Sequence, residues 1–329
     1  MARAYSDLVT CVVGYGSIGR RHARNLKKLG VRVVVYRTGM AHPDTPEYDD
    51  SLEFYYDFEE VLALNPDAIF ICNPTSLHAE FALKAIENRI DFFVEKPVSN
   101  QLAGTDVLVR AAREAGVISS VGYMMRYDPC LIKLRDLLQQ NSIGNVSSAI
   151  MEWGTYLPSW HGWEDYSNSY AARKTLGGGL VLTCSHEIDL ARYLFGEISL
   201  VHAEGGRASY LDIEVEDHVD ILSKHASGVT SFLHIDWFQK KGRRYVHVIG
   251  DQGRLEWDFF KNNLTLFDFS NQEERVLEQG SDVNRLYEAN IQDFLDSVLD
   301  RSPTECDFEE GLKTLESCYR ILNVIERNE

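Results

Sequence analysis

Three sets of residues in this chain of 329 have types and spacings suited to chemistry. Gly14, Gly16 and Gly19 form G-x-G-x-x-G between an apolar, β-branched run at 8–13 and a helix-like run that begins at Ser17. In that context the first glycine permits a tight turn and the second lets the backbone approach a pyrophosphate. The third lets the helix pack close to the strand. Backbone N–H groups of Tyr15, Gly16, Ser17 and Ile18 then face the anion at the positive end of the helix dipole. An ordinary glycine-rich turn is the alternative. Glu95-Lys96-Pro97 directly follows the apolar run at 91–94. A lysine at the carboxyl end of a strand donates to a substrate hydroxyl or carbonyl oxygen once burial or neighbouring charge has tuned its pKa from about 10.4. A structural ion pair with Glu95 is the alternative. His186 opens a helical run closed by Gly196, with Asp189 three residues on and on the same face. A helix N-terminus disfavours imidazolium and keeps the ring available as a base, while a nearby Asp works the other way. A histidine that only caps or packs the helix is the alternative.

The cofactor is read from the second strand, 31–36 (VRVVVY). An NAD-binding fold places an acid near this strand end to hold the ribose 2′-OH. Here Tyr36, Arg37 and Thr38 stand there, with no acid between 31 and 40. A cation and a hydroxyl suit a 2′-phosphate, so NADP(H) is favoured over NAD(H).

These groups need elements to hold them. Strand-like runs at 8–13, 31–36, 68–72, 91–94 and 117–122 alternate with helical runs at 17–29, 58–64, 77–88 and 101–115, and 42–57 reads as a loop. That alternation predicts a parallel sheet covered by helices, with Gly14–Gly19, Asn73-Pro74 and Glu95-Lys96-Pro97 all at strand carboxyl ends. From 123 the pattern changes. A helix at 130–140 and a strand at 146–156 precede an aromatic, polar stretch. Tyr156, Trp160, Trp163 and Tyr170 have faces that stack on sugar rings, and Arg173 and Lys174 suit an anionic group; packing into a subunit interface is the alternative. Strand-like runs at 199–209, 216–223, 229–237, 243–250, 254–260 and 263–267 follow, then helices at 283–299 and 308–326. The fold class is thus α/β. A Rossmann domain with a parallel sheet (1–123) precedes an α+β domain with a large, mostly antiparallel open sheet (124–329), one face of which is free to build an oligomer.

Composition narrows the function classes. The net charge of −17 argues against a nucleic-acid or anionic-membrane surface. Six scattered cysteines without CxxC spacing read as buried thiols in a reducing cytoplasm. No metal-ligand spacing stands out. The first strand begins too early for a signal peptide, and no apolar run approaches the about 18 residues of a membrane span.

Taken together, the glycine motif with Arg20-Arg21-His22, the segment 73–78 (NPTSLH), Glu95-Lys96-Pro97, Arg126-Tyr127-Asp128-Pro129 and the block from Gly177 to Gly196 resemble the glucose–fructose oxidoreductase, inositol dehydrogenase and rhizopine-catabolism (Gfo/Idh/MocA) family. The resemblance spans essentially the whole chain. It implies hydride transfer between a nicotinamide and a carbon bearing OH or C=O, commonly on a sugar, a cyclitol or a derivative. It also implies dimers or tetramers built by the second domain. By position, Lys96 and His186 match the catalytic Lys and His. Asn73 and Pro74 match residues beside the nicotinamide, with His78 in the same segment, and Glu95 matches a cofactor-ribose contact. Many members place an Asp four residues before the His; here Leu182 stands there, followed by Thr183. Thr183 or Asp189 is then expected to orient His186. Arg126 is a further substrate-side candidate, with a structural role as its alternative. The expected activity is reduction or oxidation of a sugar or sugar derivative, phosphorylated or nucleotide-linked forms included, as in bacterial surface-sugar biosynthesis. A transient-redox lyase or glycosidase with tightly held NAD, and a non-catalytic nicotinamide-binding sensor or partner subunit, are the rival readings.

Overall fold

The computed structural model describes residues 3–39, 49, 51–160 and 165–328, which divide into two units. The first comprises Met1–Gly122 with Tyr287–Leu312; the second comprises Tyr123–Leu286 with Lys313–Glu329.

The first unit holds β1 (Val9–Val13), β2 (Arg32–Tyr36), β3 (Glu53–Tyr55), β4 (Ala68–Ile71), β5 (Asp91–Val94) and β6 (Ser119–Val121) in the order 3-2-1-4-5-6, every pair parallel. Helices α1 (Ser17–Lys28), α2 (Phe58–Ala63), α3 (His78–Glu87) and α4 (Thr105–Ala115) make the crossovers. Strands β1, β4 and β5 are buried along nearly their whole length, as their continuous apolar runs require for a sheet covered on both faces. The order reverses direction between β1 and β4, which opens a crevice beyond their carboxyl ends. The stretch read as loop contains β3, paired through Val34↔Glu53 to Tyr36↔Tyr55. Two consecutive domains do not describe the chain's return into this unit at Tyr287. Its cause is apolar. Ile291, Phe294, Leu295 and Val298 line one stripe of a helix and join the core formed by Val12, Leu26, Phe70 and Phe93. Phe294 sets its ring edge-on to Phe70 and Phe93, 5.5 and 5.9 Å between centroids.

The second unit is built on an eight-stranded sheet. Its strands are β7 (Val146–Tyr156), β8 (Ile198–Gly206), β9 (His218–His225), β10 (Thr230–Asp236), β11 (Phe238–Gly250), β12 (Gly253–Asp258), β13 (Asn263–Asp268) and β14 (Glu273–Gln279), ordered 14-13-12-11-7-10-9-8. β7 and β10 run parallel and the other neighbours antiparallel. The sequence reading contained no β14. α5 (Pro129–Gln139) starts where Asp128 accepts N–H bonds from Cys130 and Leu131, and it packs over β12, β13 and β14. α6 (Leu180–Thr183) and α7 (Ser185–Phe195) follow the glycine triplet. α8 (Val283–Asp300) and α9 (Phe308–Asn328) close the chain. All six cysteines are buried and none forms a disulfide. Among the described residues no cluster of potential metal ligands occurs, and no helix is long and apolar enough to cross a membrane.

Candidate active site

At the end of β1 the three glycines meet three different constraints. Gly14 has φ +93°, and a Cβ there would lie 2.9 Å from the backbone of Asn73. A Cβ on Gly19 would lie 2.0 Å from the carbonyl oxygen of Gly14. Gly16 has φ −77°, open to any residue, and a Cβ there would meet nothing within 4 Å. The chain itself therefore requires glycine at 14 and 19, while at 16 the absent side chain leaves open space at the start of a 12-residue helix. No acid occupies the first turn of α1. This is the cradle that a pyrophosphate fits. Ser17 and Ile18 begin the helix, and Tyr15 rests edge-on against Phe54 at 5.2 Å.

Tyr36 ends β2 with its ring packed against Phe58 and Phe81. Arg37 is half-buried and its N–H donates to the Tyr55 carbonyl, while Thr38 is exposed. Among the described residues no carboxylate pairs with the Arg37 guanidinium.

At the end of β5, Glu95 points inward. His22 Nε2 donates to Glu95 Oε1 at 2.6 Å, and the backbone N–H of Lys96 donates to Oε2 at 3.2 Å. Gly122 leaves the room: a Cβ there would lie 2.8 Å from the carboxylate. Burial pushes the Glu95 pKa up, but the His22 bond and the charges nearby outweigh it and hold the group below its ordinary value. Lys96 is half-buried, and the Lys96–Pro97 peptide is cis. His78, at the start of α3, is buried with Nδ1 2.8 Å from the Pro97 carbonyl oxygen and Nε2 3.0 Å from that of Asn73. Burial pushes its pKa down. Asn73, Pro74, His78, Glu95 and Lys96 thus share the carboxyl edge of one sheet, next to the glycine turn.

In the second unit, His186 lies in the first turn of α7, 7% exposed. Its ring stands edge-on to the buried ring of Tyr123, 5.7 Å away, and Tyr123 Oη reaches Ser185 Oγ at 3.3 Å. The expectation that Asp189 orients His186 is corrected here. Asp189 accepts Arg126 Nε at 2.9 Å and Nη2 at 2.7 Å, and also Thr314 Oγ1 at 2.9 Å. Both oxygens are committed to a buried, bidentate ion pair. Arg126, 5% exposed and facing that carboxylate, is likewise a structural partner and not a substrate-side cation. The same helix carries a second buried pair, Glu187 with Arg244 of β11, whose guanidinium lies 4.6 Å over the Trp153 ring. Thr183, buried, ends α6.

The aromatic stretch has partners of its own. Trp160 stacks on Trp153 at 6.1 Å, stands edge-on to Trp237 at 5.8 Å and donates to Thr155 Oγ1 at 2.9 Å. Tyr156 lies beside Tyr210, whose hydroxyl raises its pKa, and carries Lys240 over its ring. Arg173 donates to Asn168 at 3.1 Å and lies 4.0 Å from Glu214; Tyr170 and Lys174 are exposed. Trp163 lies outside the described residues.

Sequence reasoning missed four residues. His22 had a signal: it is a polar residue on the stripe Ile18–His22–Leu26, at helical spacing of four. Glu216 accepts the Val181 N–H at 3.0 Å, and burial pushes its pKa up. With Leu182 at the departing position, Glu216 is a carboxylate that touches this segment. Neither it nor Tyr123 and Arg244 announces itself by spacing.

Comparison with known proteins bears on the family and the fold. Residues 9–123 match the model described as "Oxidoreductase family, NAD-binding Rossmann fold", and 131–256 match the GFO/IDH/MocA C-terminal domain. An uncharacterized oxidoreductase of Bacillus subtilis, YrbE, is 30% identical over 205 residues, 60% of this chain and 57% of that protein. The myo-inositol 2-dehydrogenase of Thermotoga maritima is 26% identical over 261 residues, 74% of this chain and 73% of that protein. The chain thus spans 57% of the first relative's length. The solved structure of a levoglucosan dehydrogenase in complex with NADH and levoglucosan superposes with TM-score 0.86, covering 98% of both chains at 16% identity, and shows a shared fold.

Proposed function

Because this chain belongs to the GFO/IDH/MocA oxidoreductase family, we propose that it oxidises a hydroxyl, or reduces a carbonyl, on a sugar or sugar derivative with a nicotinamide dinucleotide. The observation that carries this reading is the open space at Gly16, set at the β1/β4 reversal beside Asn73-Pro74 and the Lys96 turn. Gly14 to Gly19, Asn73, Pro74 and the Lys96 turn would hold the dinucleotide. When bound, the nicotinamide accepts or supplies a hydride at C4. Lys96 donates to the substrate oxygen and stabilises the charge that develops there. His186 takes the hydroxyl proton in oxidation and returns it in reduction. Thr183, three residues before His186, is the orienting partner that remains once Asp189 is assigned to Arg126. Glu216 supplies the carboxylate that Leu182 lacks. Tyr170 and Lys174, which are exposed, and Tyr156, Trp160, Trp163 and Arg173 are assigned to the substrate side. NADP(H) is favoured by Arg37 and Thr38, and the sugar reading draws on the relatives' substrates.

The same reading places the reaction in the cytoplasm and assembles the chain as a homodimer or homotetramer through its open sheet. Ile150, Phe232 and Leu222 lie side by side on adjacent strands, 37%, 40% and 46% exposed. Light scattering on the wild type and Phe232→Glu tests this: the variant is expected to lose one level of assembly.

The function is tested by nicotinamide absorbance over a panel of polyols, keto sugars and their phosphates. Lys96→Ala and His186→Ala are each expected to lower kcat by about 10²- to 10⁴-fold. Near wild-type turnover in both on the true substrate contradicts the mechanism.

A further inference from the structure

The backbone on both sides of Lys96 is pinned by a buried histidine, each from a different helix. From α1, His22 donates at 2.6 Å to Glu95, whose second oxygen accepts the Lys96 N–H. From α3, His78 faces the carbonyl of Pro97 at 2.8 Å, and its other nitrogen faces the carbonyl of Asn73 at 3.0 Å. Right-handed crossovers that run in opposite directions from the β1/β4 reversal put α1 and α3 on opposite faces of the sheet. The tie therefore reaches the Lys96 turn from both layers. Neither ring is open to a ligand: His22 is 0% and His78 1% exposed.

The surroundings of each ring show that these contacts are built. His22 sits among Phe70, Phe93 and Tyr287, with centroids 5.1 to 6.0 Å away. Gly122 leaves the space that lets Glu95 turn inward to meet it. His78 lies between the turns after β4 and β5: a neutral ring donates its one N–H to one of the two carbonyls and rests against the other, so it spaces Asn73-Pro74 from Lys96-Pro97. A buried polar group placed between two backbone segments stabilises a single arrangement of both, because losing the ring leaves carbonyls or a carboxylate unsatisfied.

We propose that His22 and His78 are positioning residues for Lys96, holding its turn, and through Asn73 the neighbouring Pro74 turn, in one geometry. The proposal rests on Lys96 being the group that meets the substrate oxygen. The second unit supplies a control. His225 is also buried and doubly bonded, at 2.7 Å to the Gly196 carbonyl and 2.8 Å to Ser231 Oγ, but in a strand that carries none of the assigned site residues.

The experiment compares His22→Leu, His78→Leu and His225→Leu, which remove the ring nitrogens without supplying another donor, in the full chain. Melting temperature, kcat, cofactor KM and the Lys96 side-chain resonance are followed in ¹³C-lysine protein, the resonance being assigned by its loss in Lys96→Arg. All three variants are expected to melt earlier. Only the first two are expected to shift the Lys96 resonance and to lose about 10- to 100-fold in kcat, the scale of a small misplacement, with little change in cofactor KM. His22→Gln and His78→Asn, whose amide N–H stands in the place of Nε2 and of Nδ1 respectively, are expected to recover part of that loss, and they serve where a Leu variant does not fold. If His22→Leu and His78→Leu leave kcat and the Lys96 resonance as His225→Leu does, the proposal is overturned. If the wild type turns over no polyol or keto sugar with a nicotinamide, the oxidoreductase reading fails by itself. The Lys96 resonance then still decides whether the two histidines position it.

Discussion

The two units of this molecule carry their candidate functional groups in different ways. In the parallel sheet the groups sit in turns directly after strands, so chain order and site order agree: glycines after β1, Asn73-Pro74 after β4, Lys96 after β5. In the unit built on the antiparallel sheet, the helix bearing His186 is held by ion pairs between residues far apart in sequence. Arg126 meets Asp189 across 63 positions, and Arg244 meets Glu187 across 57. The first kind of site is written in short motifs, because backbone geometry at a strand end needs particular residues locally. The second is written in charge pairs whose partners become visible only once the chain has folded.

The largest effect that tests this contrast is at Asp189. Asp189→Ala leaves the buried Arg126 without its partner and is expected to cost about 3–5 kcal/mol of stability. Urea unfolding measures it. kcat of the folded fraction is expected to stay near wild type. An unchanged unfolding midpoint with lost turnover would return Asp189 to the catalytic group.

A smaller contrast sits within the glycine turn. Gly19→Ala drives a methyl into the Gly14 carbonyl and is expected to destabilise by about 1–3 kcal/mol. Gly16→Ala meets nothing in the chain and is expected to leave the melting temperature unchanged. Equal destabilisation by the two would mean that Gly16 serves the fold alone.

An effect of similar size is electrostatic and lies on the open sheet. His234 bonds Asp236 at 2.9 Å and Asp220 at 2.7 Å, and these bonds raise its pKa to about 9 against burial. A raised folded-state pKa stabilises fully below the ordinary value of 6.5, and this contribution fades as pH rises through about 9. Melting temperature is therefore expected to decline between pH 7 and 9.5 in the wild type and to decline less in His234→Gln. Parallel curves would remove His234 from the account.

Much of the fold was legible because buried parallel strands are continuous apolar runs and amphipathic helices repeat every three to four residues. What was missed has physical reasons. β3 is three residues long beside an acidic, proline-containing stretch. β14 (EERVLEQ) is an edge strand and mostly exposed, so it carries charge instead of alternation. The apolar stripe of α8 announced a helix but not the unit whose core it fills. The places of the glycines after β1, of Lys96 after β5 and of His186 in the first turn of α7 were legible from position. The commitment of Asp189 to Arg126 was not, since helical spacing to His186 carries no information about a partner 63 residues away. Composition singles out Trp160 as a sugar platform, but its stacking on Trp153 has no sequence signal.

The central claim is that the carboxyl edge of the parallel sheet holds a nicotinamide dinucleotide at Gly16. Calorimetric titration of NADP⁺ and NAD⁺ into the wild type, Gly16→Ala and Arg37→Asp tests it most directly. The wild type is expected to bind NADP⁺ more tightly than NAD⁺. A normally folded Gly16→Ala is expected to lose both dinucleotides by at least about tenfold, near 1.4 kcal/mol, and Arg37→Asp to shift toward NAD⁺. Undiminished binding of both dinucleotides by Gly16→Ala would contradict it.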